Sequence, residues 1–174
     1  MKTYETCPKH VADRVAAMIK KFHPDLLKCE VKVDLLFVST DGEGPALTLH
    51  GYACAAVVRK LGPKDRVSRG CDAEIVIDEE GYTTMSDKER DALLDHELYH
   101  LVVAKDKDKR PKADGAGRPV LKIRKHDREF GWFDEIARRH GEHSLEIKQA
   151  RGLLTTGGGQ LYFNFKPAPL AAVA

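Results

Sequence analysis

The sequence predicts an α+β fold in which an N-terminal helix lies on a three-stranded antiparallel sheet, followed by a central helix and a further helix that carry the chemistry. Three observations predict it. Apolar residues recur at helical spacing between Pro8 and Phe22. Three β-rich runs then follow with only short turn segments between them, and from Asp87 onward the period returns to that of a helix. The 174 residues, 42% hydrophobic and 32% charged, suffice for one domain with an ordinary core and are too apolar for wholesale disorder.

In the first helix Val11, Val15, Met18, Ile19 and Phe22 form the buried stripe. Pro8 suits its first turn, and "HPD" at 23–25 ends the pattern. The strand runs are "EVKVDLLFVS" (30–39), "LHGYACAAVVRKLG" (49–62) and "CDAEIVIDEE" (71–80), the last turning Ala73, Ile75 and Ile77 inward. "TDGEGP" at 40–45 and "GPKDR" at 62–66 read as the turns between them.

The central helix opens at "SDKE", where Ser86 and Glu89 have the spacing of a capping box and Asp87 sits in the positive first turn. It is expected to run from about Asp87 to about Ala104. The segment 105–125 carries nine basic residues against three aspartates, a net charge of +6. It reads as a loop or loose hairpin turning at "ADGAG", with "PVLKI" as a short strand. A third helix is expected from about Asp127 to His140, stopped by Gly141, and a short fourth from Ser144 to Leu153. Residues 1–153 then form the domain, and 154–174, loosened by "TTGGGQ", a tail. No internal repeat stands out.

Composition narrows the function classes. Cys7, Cys29, Cys54 and Cys71 form no C-x-x-C pair, which argues against a cysteine-built zinc ribbon and for free thiols in a reducing cytoplasm. The start has no apolar run of the secretory kind, and nothing approaches the roughly 18–20 apolar residues needed to span a bilayer. The expected protein is cytoplasmic and makes no membrane contact. A net charge of +2 is too small to read as a nucleic-acid binder from the total alone.

The stretch "LLDHELYHLVV" at 93–103 carries the sharpest signal. A helix advances about 100° per residue, so His100 falls about 40° from His96, and Glu97 about 100° from it. Two imidazoles one turn apart are what two ligands of a tetrahedral zinc require, with Glu97 placed beside them as a base. Two histidines and a glutamate on an otherwise apolar stripe would be costly to bury without a task.

Catalytic zinc takes three protein ligands and keeps one open position. His126, at the doorway of the third helix in "KHDREFGWF", is the leading third ligand, with Phe130 and Phe133 anchoring that helix. Glu129 and Glu135 are the rivals. Asp95 and Asp127 read as helix-surface or cap residues, or as orienting partners of a ligand imidazole. His140 and His143 suit a helix C-terminus. Tyr99 reads as packing, and Tyr82 as a residue that can approach the site.

"LLDHELYHL" followed by "HDREF" resembles the SprT-like zinc metallopeptidases, and is more similar still to the putative phage metallopeptidases, whose HD-x-x-F helix ends near "RRHG", as at 138–141. The resemblance spans roughly residues 8–141 and is specific in the two motif segments. It implies a zincin-like fold, Zn2+ on His96, His100 and His126, Glu97 as general base, peptide-bond hydrolysis, and a host cytoplasm if the chain is phage-encoded. The chain lacks the C-terminal cysteine ribbon of fuller SprT-like members. The expected partner is a protein or peptide substrate. The segment Lys105–Lys125 reads first as a solvated loop, and second as a place of weak nucleic-acid contact. A non-catalytic zinc-bearing module that docks DNA or protein through that segment is the rival function. Hydrolysis of a non-peptide amide, as in a cell-wall fragment, is a third.

Overall fold

The computed structural model describes residues 1–42, 44–49, 52–126 and 132–155. The chain begins with strand β1 (Lys2–Thr6), helix α1 (Lys9–Phe22), the single-turn helix α2 (Pro24–Lys28) and strand β2 (Val33–Thr40). A small hairpin of β3 (Thr48–Leu49) and β4 (Tyr52–Ala53) follows, then β5 (Ala56–Lys60), α3 (Pro63–Arg69), β6 (Ala73–Asp78) and α4 (Glu79–Thr84). The central helix is α5 (Asp87–His100). After it come β7 (Leu101–Val103), β8 (Leu121–Ile123), α6 (Asp134–His140) and α7 (Leu145–Thr155).

The main sheet has four strands in the order β1-β2-β6-β5, and it is mixed. β1 and β5 run antiparallel to their neighbours, whereas β2 and β6 are parallel, with Leu35 opposite Ile75. The expected three-stranded antiparallel meander is therefore corrected on two counts: β1 precedes the first helix, and the last strand inserts beside β2 instead of following β5 outward. The reason is burial. Ala73, Ile75 and Ile77 face the main core, as their alternation predicts, but Glu74 and Val76 are buried on the other face too. A strand covered on both sides belongs in the middle of a sheet.

Local signals misled at three other points. "LHGYACAAVVRKLG" is not one strand but β3, β4 and β5. "GPKDR" is not a turn: Gly62 caps α3, Pro63 occupies its first turn, and Gly70 closes it at φ 69°. "HPD" ends α1, yet Pro24 at once starts α2.

α1 and α5 cover one face of the sheet. Val11, Val15 and Met18 meet Leu35, Phe37, Ile75, Ile77, Leu94 and Leu98 in a single apolar cluster. Each such fully buried side chain contributes roughly 1.5–3 kcal/mol. Ser86 and Glu89 form the expected capping box, the Ser86 N–H donating to Glu89 Oε2 at 2.6 Å. α5 ends at His100, short of the expected Ala104, because Leu101 turns extended (φ −80°, ψ 118°) and Leu101–Val103 pair with β8.

The basic segment between β7 and β8 is a built ribbon, and it contains a repeat the sequence reading missed. "KDKDKRP" at 105–111 and "ADGAGRP" at 113–119 fold into two equivalent arches. In the first, Asp106 Oδ1 accepts from the Asp108 and Arg110 N–H groups; in the second, Asp114 Oδ1 accepts from Ala116 and Arg118. Lys109 and Gly117 hold matching left-handed positions, at φ 62° and 73°. Arg118 and Arg66 converge on the buried Asp72, pinning the second arch to α3 and β6.

The four cysteines form no disulfide. Among the described residues no helix is long and apolar enough to cross a membrane.

Candidate metal centre

The capping box and the apolar side of α5 fix the helix, and its spacing then stacks His96 over His100 with ring centroids 5.2 Å apart. The chain returns through β8 to bring His126 against both. His96 Nε2 lies 3.2 Å from His126 Nε2, and the rings of His100 and His126 have centroids 4.5 Å apart. The three potential ligand atoms all fall within 4.8 Å of one another. Phe133, fully buried, supports the cluster: its ring centroid is 4.9, 4.8 and 4.9 Å from those of His96, His100 and His126.

Two of the imidazoles are oriented from behind. His100 Nδ1 donates to the Arg124 carbonyl at 2.7 Å, an oxygen that can only accept, so its Nε2 keeps a lone pair for the site. His96 Nδ1 meets Glu146 Oε1 of α7 at 2.7 Å. Burial holds the His100 imidazole neutral, with its pKa brought down to about 4; the Arg124 carbonyl works against that, and the neighbouring His96 and His126 add to it. Burial also disfavours the His96 cation, but Glu146, Glu97 and Asp95 outweigh it and hold that ring above its ordinary value.

Glu97 is buried beside the cluster. Desolvation pushes its carboxyl above the usual range, against the opposing pull of His96 and of the Val58 N–H on β5. A cavity of about 420 Å³ opens over these groups, with Val57, Val58, Leu93, Trp132 and Leu145 among its walls.

The donor set fits a metal ion. Three imidazoles suit zinc and other borderline transition metals. Charge balance points the same way: two buried carboxylates, Glu97 and Glu146, border a cavity that no lysine or arginine lines among the described residues. Glu146 Oε2 is buried without a hydrogen-bond partner. His96 answers these carboxylates in part, and a cation held by the imidazoles would complete the compensation.

The other candidates that the structure describes lie elsewhere. Glu129, Asp127 and Phe130 are outside the described residues. Glu135 pairs with Arg138 and Arg139 on α6. Asp95 is neither a surface residue nor an orienting partner of the imidazoles. Fully buried, it accepts from His23, Arg139 and His140, tying α5 to α1 and α6. Desolvation would raise its carboxyl, yet those three partners hold it well below the usual range. His140 ends α6 as expected, but serves this cluster. His143 lies 4.0 Å from Glu142. Tyr99 packs on Phe133 and under the Arg124 guanidinium. Tyr82 stacks on Phe37 in the core and does not line the cavity. The expected start of the third helix near Asp127 is not met where the chain is described, since Trp132 and Phe133 are not helical, Phe133 is extended, and α6 begins at Asp134.

Glu146, Gln149 and Trp132 were missed. Trp132 Nε1 donates to Gln149 Oε1 at 2.6 Å, closing one wall of the cavity. The only available signal was a glutamate on a predicted helix, 50 residues from its partner, which no local pattern singles out.

A family model described as putative phage metallopeptidase matches residues 2–154. No curated protein matches the chain, and neither does any solved structure.

Proposed function

From the premise that the chain belongs to the putative phage metallopeptidase family, we propose that it is a zinc-dependent peptidase in which His96, His100 and His126 hold the metal and Glu97 is the general base. The observation that carries this reading is the convergence of three imidazoles beside a buried glutamate, two of them held by acceptors at Nδ1 so that Nε2 faces the site. The likeness of "LLDHELYHL" and "HDREF" to the SprT-like zinc metallopeptidases supports the same reading. Zinc in such a site supplies Lewis acidity, making water acidic enough to lose a proton near neutral pH and polarising a carbonyl oxygen.

The chain's own residues do the rest. Glu97, with its carboxyl raised by burial, takes the proton from water and returns it to the leaving amine. Phe133 and the apolar walls keep bulk water away from the imidazoles, which strengthens every charge interaction in the cavity. β5 pairs with β6 along one edge alone among the described strands, and Val57 and Val58 line the cavity. An extended peptide can lie along the other edge by main-chain hydrogen bonds.

The test is cleavage of unfolded casein by the zinc-loaded protein, with and without chelator, and by Glu97→Gln. Chelator-sensitive cleavage that falls about 10²–10⁴-fold in Glu97→Gln, with zinc still bound, is expected. Silence across several unfolded substrates with zinc bound favours the non-catalytic module instead. Equal turnover by Glu97→Gln removes the base assignment.

A further inference from the structure

We propose that Glu146 is the positioning residue of His96, making α7 a working part of the metal centre. The inference rests on the reading that the imidazoles hold a metal, and it concerns a residue outside both sequence motifs.

Glu146 Oε1 sits 2.7 Å from His96 Nδ1 and 3.4 Å from the Phe133 N–H, and the side chain is 3% exposed. The imidazole and the Phe133 N–H answer Oε1, but the buried Oε2 has no hydrogen-bond partner. The same arrangement is well compensated once the imidazole carries a cation at Nε2. The ring N–H then becomes a stronger donor, and the carboxylate feels the cation's field through it. In return Glu146 fixes the tautomer that aims the Nε2 lone pair into the site, and it makes that nitrogen more basic. His100 has a neutral carbonyl in the equivalent place, so the charged orienting group belongs to His96 alone of these two rings.

α7 is held in register by contacts that do not involve the imidazoles. Lys148 pairs with Glu89 at the opening turn of α5, and Gln149 bonds Trp132. These contacts separate the docking of the helix from the action of its carboxylate.

The experiment measures zinc affinity by competition with a chromophoric chelator for the wild type, Glu146→Gln, Glu146→Leu and Lys148→Ala, and records the melting temperature of each metal-free protein. Glu146→Leu is expected to bind zinc about 10–100-fold more weakly. Its metal-free melting temperature should be no lower than that of the wild type, because leucine fills the volume with apolar surface and no unpartnered Oε2 remains to be buried. Glu146→Gln keeps an acceptor but not the charge and should fall between the two. Lys148→Ala, which loosens α7 alone, should keep nearly full affinity. A residue with a merely structural role would lower stability and affinity together, and would do so in Lys148→Ala as well. That pattern, or zinc affinity unchanged in both Glu146 variants, overturns the proposal while leaving the three-imidazole reading intact. A wild type that takes up no zinc overturns both.

Discussion

His100 Nδ1 stands 2.7 Å from the main-chain carbonyl oxygen of Arg124, two residues before His126. One short segment after β8 therefore supplies a candidate ligand and also sets the tautomer of another, so disorder there would disturb two corners of the cluster at once.

Metal binding at the proposed centre is expected to be linked to global stability through that segment. Zinc at 100 times its dissociation constant is expected to stabilise the fold by about 2.7 kcal/mol. The gain should appear as a raised melting temperature that chelator abolishes. A transition at the same temperature with and without zinc would count against the centre.

Phe133 touches all three imidazole rings and is completely buried. Phe133→Ala is expected to cost about 3–5 kcal/mol in urea denaturation, from lost burial and the void left behind. It should also weaken zinc binding, since the rings lose their support. Phe133→Leu, which fills most of the space, should retain more of both.

Asp72 joins α3, β6 and the second arch of the ribbon through Arg66 and Arg118. Burial alone would raise its carboxyl, but Arg118, the Lys32 N–H and Arg66 outweigh it and hold the group below its ordinary value. A carboxyl depressed in the folded state stabilises fully above its unfolded pKa of about 3.9. That contribution fades as pH falls from there through the lower folded value. Asp72→Asn is expected to lose roughly 3 kcal/mol at pH 7, and the difference from wild type should shrink below about pH 4. A constant difference across that range would refute the assignment.

Lys107, Lys109 and Arg110 of the first arch and Lys112 just after it are exposed and make no ion pair among the described residues, whereas Lys105 is bound to Asp25. The first reading of this ribbon is a solvated element; the second, weak electrostatic contact with nucleic acid, is a proposal that salt dependence tests. Association with duplex DNA should fall with salt at about −0.9 logarithmic units per phosphate engaged, and should vanish when the four residues become serine. No association even at low salt would leave the ribbon a solvated element.

What the sequence determined by itself was local. The capping box, the stripe of α1 and the stacking of His96 over His100 follow from spacing along one helix, where residues four apart must share a face. The Asp-x-x-x-Arg-Pro arches were local as well, though their repeat is visible only once the backbone shows both aspartates in the same role. Tertiary structure decided the rest. β6 stands beside β2, and Asp95 turns inward toward His23 and His140. Glu146 reaches His96 across 50 residues. Such partners are chosen by which surfaces are buried against which, a property of the whole packed chain that no short window of residues contains.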